Sequence, residues 1–291
     1  MAGPAIFNRL QSKLGTLLLS AVFFAHPANA QSTFGEGFAN IIETMHSGLD
    51  SLWPDALEVD GLTFRAGFGT GLIPDYVGSD DYGLRVVPLL EIRYGERLRI
   101  DGGLLTYAAY KNGSFEAGPL LNLAFGRSAS RNPVLRGIRD IDTVFETGAF
   151  VRYRTKSGLA SIDFRQALGD GLGQSIRLTA GHGIYRSGKF AAIFGVRARW
   201  LSGKAAQRNF GITAEDAANS EFDLPAFAAD SGVSEVMGNL IGSYQISDRA
   251  RFLGLISAGH LLGDAADSPL VTGSNGSPFQ ATVGVGFMTS F

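Results

Sequence analysis

The chain has 291 residues, 39 Gly, no Cys, 45% hydrophobic and only 18% charged residues, and a net charge of −2. Without cysteine there are no disulfides, thiol nucleophiles or thiolate metal sites. The near-neutral balance, with no clustered basic excess, excludes a polynucleotide partner. No run of eighteen apolar residues follows the N-terminal region, which excludes a helical membrane protein.

The chain opens with Arg9 and Lys13, an apolar run over 14–24, and Ala28-Asn29-Ala30, a small-x-small site. This is the pattern of a cleaved signal peptide over 1–30, with the mature chain starting at Gln31. Removing it leaves 23 basic against 27 acidic residues, a net −4. Residues 31–60 form a leader. Phe34, Phe38, Ile41, Ile42, Met45, Leu49 and Leu52 recur at helical spacing, Thr33 and Glu36 make a capping-box pair, and Pro54 stops the pattern. A short amphipathic helix is expected there.

Residues 61–291 read as an antiparallel transmembrane β-barrel. Eleven strand candidates fall at 62–72, 84–94, 97–108, 114–126, 143–154, 159–168, 175–186, 189–201, 233–246, 250–262 and 278–291. Phe115, Ala117, Pro119, Leu121, Leu123 and Phe125 are expected toward lipid, as are Phe190, Ala192, Phe194, Val196, Ala198 and Trp200. From the fourth candidate onward, connections alternate between short and long, as in outer-membrane barrels. Bacterial barrels have even strand numbers, so one strand is missing from the eleven, and twelve are expected with ten as the fallback. The last strand carries Ala281, Val283, Val285, Phe287, Thr289 and Phe291 on one face. Its closing Phe291 resembles the signal by which such barrels reach their assembly machinery.

Arg outnumbers Lys 20 to 5, and Arg97/Arg99, Arg152/Arg154 and Arg197/Arg199 stand at i,i+2, on one strand face. With Glu116, Glu146 and Asp163, and with Glu91, Asp101 and Glu235 as further candidates, they are expected to form a charge lattice filling the lumen. Selection of a permeating solute by the same lining is the alternative. Ser257 and His260, three apart, point to opposite strand faces, and neither they nor His182 makes a nucleophile pair by sequence. No catalytic, cofactor or metal residue is assigned. Gly67-Phe68-Gly69-Thr70-Gly71 alternates within a strand, so it is lining rather than a phosphate cradle. The loop acids Asp75, Asp80, Asp81, Glu215, Asp216, Glu221 and Asp223 read as solvated charge beside outer-membrane lipid and lipopolysaccharide, with binding of the divalent cations that bridge lipopolysaccharide as the alternative.

Several segments together resemble the MltA-interacting protein (MipA)/OmpV family. They are Pro74-Asp75-Tyr76-Val77-Gly78-Ser79, Gly118-Pro119, Gly126-Arg127, Glu146-Thr147-Gly148, Gln207-Arg208-Asn209-Phe210-Gly211-Ile212-Thr213, Asp267-Ser268-Pro269 and the closing aromatic strand. The resemblance implies a Gram-negative outer-membrane barrel without enzymatic activity. It further implies a scaffold joining a lytic transglycosylase to a peptidoglycan synthase, or a surface protein of the cell envelope. A small-solute channel and an outer-membrane hydrolase are the alternatives.

Overall fold

The computed structural model describes residues 61–291. The expected signal peptide and leader helix lie outside the described residues. Thirteen strand segments form one antiparallel sheet: β1 (Leu62–Pro74), β2 (Tyr82–Tyr94), β3 (Leu98–Asp101), β4 (Leu104–Tyr107), β5 (Tyr110–Asn112), β6 (Phe115–Ala124) and β7 (Val144–Arg154), then β8 (Gly158–Ala167), β9 (Gln174–Ser187), β10 (Phe190–Leu201), β11 (Gly232–Gln245), β12 (Ala250–Leu261) and β13 (Phe279–Ser290). β4 and β5 are two pieces of one strand, both paired with β6, so the barrel has twelve. β1 pairs with β13 and closes it.

The strand that the sequence reading lacked lies inside 97–108. That stretch is a hairpin, not one strand: the chain reverses at Gly102-Gly103, with Gly102 at φ 58°. A glycine is needed there because an L side chain is strained at positive φ. Both barrel termini therefore lie at the same end, where Arg65 faces Ser290 in register. Connections at this terminal end are short (95–97, 113–114, 155–157, 188–189, 246–249). At the opposite end most are long (75–81, 125–143, 202–231, 262–278).

Period-2 alternation sorts the side chains. Phe68, Leu72, Leu84, Val86, Phe194, Ile256, Val283 and Val285 stay exposed on the outside, an apolar belt of the kind a bilayer covers. No helix among the described residues is long and apolar enough to cross a membrane. Most inward positions are buried, and one outward assignment, Phe125, needs correction. Ala192 keeps the outward parity, opposite Gly242 on β11 between the exposed Phe190 and Phe194, and is nonetheless covered, beside a bulge that shifts the register against β9. Phe125 lies just past the end of β6 and packs against an interior cluster instead of lipid.

The inner faces of β1 and β13 carry facing glycines, Gly69 opposite Gly286 and Gly71 opposite Gly284. The space they leave is used: Leu89 Cδ1 lies 3.1 Å from where a Cβ on Gly286 would stand. At Gly67 a Cβ would meet Phe287 O at 1.9 Å, whereas at Gly254 it would meet nothing within 4 Å. Gly67→Ala is thus expected to deplete folded, heat-modifiable barrel strongly on gels, and Gly254→Ala to leave it unchanged.

Candidate functional site

The lumen is filled by two chemistries. One is apolar: Ile73, Val87, Leu89, Ala191, Ile193, Ile241, Leu253, Leu255 and Met288 form a buried cluster spread over β1, β2 and β10–β13, and Phe125 packs on it. The other is charged. In register across four adjacent strands stand Asp163, Arg177, Arg199 and Glu235, acid at each end and two arginines between. On the far side Arg65 faces Glu91, which faces Asp101, and Arg93 faces Arg99.

Strand register explains the pairing. Arg65 Nη1 lies 3.2 Å from Glu91 Oε1 with both side chains 1% exposed, and Arg93 also reaches Glu91. Directly opposite residues on β2 and β3 are like-charged, so the ion pairs run along the strands and on diagonals, as in Arg99 with Asp101 and Arg165 with Asp163 (3.0 Å). Arg197 Nη2 reaches Glu235 Oε1 on the neighbouring strand at 3.1 Å. Glu116 sits 3.5 Å from Arg152 and 3.9 Å from Arg154. Glu146 accepts from Asn122 Nδ2 at 2.8 Å. Arg97 lies apart from the rest: it is in the turn before β3, exposed, and donates to the carbonyls of Ala108 and Ala109.

The sequence reading missed Arg65, Arg165, Arg177 and Arg251, all buried. Arg65, Arg165 and Arg177 are single inward arginines that a search for i,i+2 arginine pairs passes over, while Arg251 is paired at i,i+2 with Arg249 in the turn before β12; strand parity would have found all four. The lattice also leaves space. A cavity is lined by Arg99, Asp101, Arg152, Arg154, Asp163 and Arg197 among others. His182 and His260 are exposed, whereas Ser257 is buried and donates to Asn239 Oδ1 at 2.7 Å, so the structure does not bring them together.

The long-loop end is capped. Helices α1 (Gly203–Phe210), α2 (Ala214–Asn219), α3 (Asp264–Asp267) and α4 (Pro269–Thr272) lie over it with the loop 125–143. Leu201, Ala205, Phe210, Leu261 and Val271 form one buried cluster of this cap, and Tyr76, Leu135, Ile212, Leu224 and Leu270 another. The segment Pro74 to Ser79 is built into it. Asp75 Oδ1 accepts from Arg85 at 2.6 Å, and the Tyr76 hydroxyl donates to Leu270 O at 2.9 Å. Burial pushes the Tyr76 phenol up to about 12. Gly78 has φ 105°, and a Cβ on it would strike Val271 at 2.4 Å. Ser79 is fully buried, and its carbonyl accepts from Gln280. Phe291, at the other end, is exposed, with its ring centroid 5.5 Å from that of Phe64. Among the described residues no acid and histidine cluster suits a metal ion.

Asp216 ties the cap together. It closes a capping box with Thr213 at the start of α2, accepts from Arg139 N at 2.9 Å, and pairs with the Arg139 guanidinium. Burial alone would raise its carboxyl. The Thr213 and Arg139 hydrogen bonds and the Arg139 charge outweigh burial and hold it below the usual range. A depressed folded-state pKa stabilises above the unfolded value, about 4, and that contribution disappears as pH falls through the folded value. Limited proteolysis within 202–231 is therefore expected to accelerate on acidification below about pH 4. Asp216→Asn is expected to be cleaved faster already at neutral pH and to lose that acid step.

The pair Arg65 and Glu91 offers a second measurement. Glu91→Leu leaves Arg65 buried without its carboxylate and is expected to destabilise the barrel by about 3–5 kcal/mol in denaturant titrations. Adding Arg65→Met is expected to restore part of the loss, since an apolar replacement of a buried pair is commonly close to neutral, while Arg93 still loses its contact with Glu91.

The sequence pattern of the family described as MltA-interacting protein MipA matches residues 66–291. No curated protein sequence matches the chain. Among solved structures, the chain is similar to an outer membrane channel from Pseudomonas putida F1 (12% identity, 81% of this chain and 97% of that one, TM-score 0.41). It is also similar to the KdgM porin (10% identity, 78% and 99%, TM-score 0.37) and to the outer membrane protein OprG from Pseudomonas aeruginosa (12% identity, 79% and 96%, TM-score 0.25).

Proposed function

The chain belongs to the MltA-interacting protein MipA family, and from that premise we propose that this outer-membrane barrel works as a non-enzymatic scaffold for peptidoglycan-remodelling enzymes. Its partners are a lytic transglycosylase, after the family's name, and a peptidoglycan synthase. The observation that carries the reading is the filled lumen under a packed cap. Side chains occupy the interior, and the long-loop end is covered by two buried clusters. A barrel so built presents surfaces instead of passing solute.

The short-turn end with both barrel termini faces the periplasm in this reading, and the capped end faces outward, as loop lengths in outer-membrane barrels run. The exported chain begins at Gln31, Phe291 is handled by the barrel assembly machinery, and the leader 31–60 emerges on the periplasmic side as the docking element. The Arg/acid lattice acts as rigid filling. One feature favours the channel alternative, the cavity among Arg99, Asp101 and Arg197, and planar-bilayer conductance measures it.

Pull-down of murein enzymes from periplasmic extract with the mature barrel is expected to capture a lytic transglycosylase, and a barrel lacking 31–60 to capture far less. No capture by either, together with steady single-channel conductance, would replace the scaffold by the channel.

A further inference from the structure

The barrel wall has a slot. On the side of β2 away from β1, residues 91–94 pair with β3, and Gly102 N donates to Leu90 O at 2.9 Å. There the β3–β4 hairpin turns back, while β2 runs on to Tyr82. Among the described residues no strand pairs with 82–89 on that side, roughly 25 Å of open edge at about 3.3 Å per residue. The Leu90 carbonyl points into this side, so the backbone groups of Leu84, Val86 and Pro88 do as well. Pro88 supports the assignment: a proline lacks the N–H that an interior strand position needs, and sits where no neighbour asks for it. The far rim is the β6–β7 hairpin, carried upward in register by the bridge between Arg127 and Ile141.

A pocket lies between the same two rims, lined by Arg85, Asp75 and Tyr76 from one and Phe125, Arg127 and Arg131 from the other. Arg85 is held by Asp75. Arg127 gives Nη1 to Asn209 O at 3.1 Å, while its enclosed Nη2 meets no acceptor among the described residues. The lining thus carries three guanidiniums and the Asp75 carboxylate, with Asp140 and Asp216 acting on Arg127 from beyond it. Burial, with Arg139 beside one and Arg85 beside the other, lowers both Arg127 and Arg131 to about 10, with Asp216 and Asp140 offsetting part of this at Arg127 and Asp75 at Arg131. On the outer face the slot is flanked by Leu84 and Val86, 73% and 65% exposed.

We propose that the slot and this pocket bind one phosphorylated glycolipid from the surrounding membrane. Its phosphate lies against Arg127 and Arg131, its sugar hydroxyls satisfy the open β2 edge, and its acyl chains lie along Leu84 and Val86. Plain hydrocarbon cannot fill the slot, because backbone N–H and C=O groups in lipid require partners. Free phosphate leaves the apolar flank unused. A pairing strand satisfies the edge without needing the arginine-lined pocket. The preceding reading enters only in naming the outer leaflet as the source.

The test uses the full mature protein in detergent micelles and native mass spectrometry. Bisphosphorylated lipid A is titrated against its dephosphorylated form and inorganic phosphate. One lipid A is expected to bind per barrel, with the dephosphorylated form at least tenfold weaker and phosphate unable to displace it. Arg127→Gln with Arg131→Gln is expected to weaken binding at least tenfold, the double Lys variant less, and Arg136→Gln, at an exposed cap arginine, not at all. A photo-crosslinker at Val86 in cells is expected to capture lipid A above one at Val285, an equally lipid-facing position. This second measurement stands even if the glutamine variant fails to fold. Equal binding of the dephosphorylated lipid, equal retention by a folded glutamine variant, or capture at Val86 of residues 31–60 or a second copy of the chain would each overturn the proposal. None of these results depends on a murein enzyme, so the scaffold reading stands or falls separately.

Discussion

A peptide group in hydrocarbon has no water to bond, and leaving it unpaired costs several kcal/mol. Almost every feature of this molecule follows from that constraint. The sheet must close, so β1 meets β13 over eight registered positions. Closure gives each strand one lipid face and one interior face, and period 2 then decides which residues meet lipid. Arginine can stand at inward positions because the interior of the barrel, not the bilayer, surrounds it. Among the described residues the constraint is relaxed at the upper edge of β2, where the chain also puts a proline and an arginine-lined pocket.

The interior combines a soluble-type core with an ion lattice. Apolar side chains from β2 and from β10–β13 make a contiguous buried cluster, and the glycine faces of β1 and β13 give Leu89 its room. The charged row from Asp163 to Glu235 is balanced end to end, which avoids a net buried charge. Such a lattice adds geometric definition more than raw stability, because desolvation offsets much of its Coulomb energy. The loops then act as a small second core above the first, with Asp216 and Tyr76 placing their polar atoms on backbone partners instead of in water.

Most strand positions were legible because alternation in lipid-facing strands is strong, and the closing strand and the Arg152/Arg154 face were read this way. The hairpin in 97–108 was missed because each half is four residues long, too short for periodicity to register. Parity nevertheless marks the reversal. Arg99 and Asp101 are inward at odd positions, Leu104 and Thr106 at even ones, and the parity changes across a Gly-Gly pair. The apolar part of the lumen was illegible for another reason. In Phe252-Leu253-Gly254-Leu255-Ile256 both faces are hydrophobic or small, so nothing local distinguishes inside from outside. Phe125 departs from the alternation where the end of β6 breaks the period.

The seam between β1 and β13 joins residues more than two hundred positions apart, from Arg65 with Ser290 to Leu72 with Val283. All other neighbouring strands are local hairpins. Loop-closure entropy must be overcome before such distant contacts give any return, so this is the slow step of barrel formation. Inward side chains at the seam would have to thread past one another as the last edge docks. Glycines at 69, 71, 284 and 286 remove that obstacle on the inside. The bulky groups, Phe68 and Phe287, are kept on the lipid side, where fluid acyl chains give way. The bare inner wall is thus a kinetic device as well as a packing one: the chain keeps its least encumbered edges for the contact that has to wait longest.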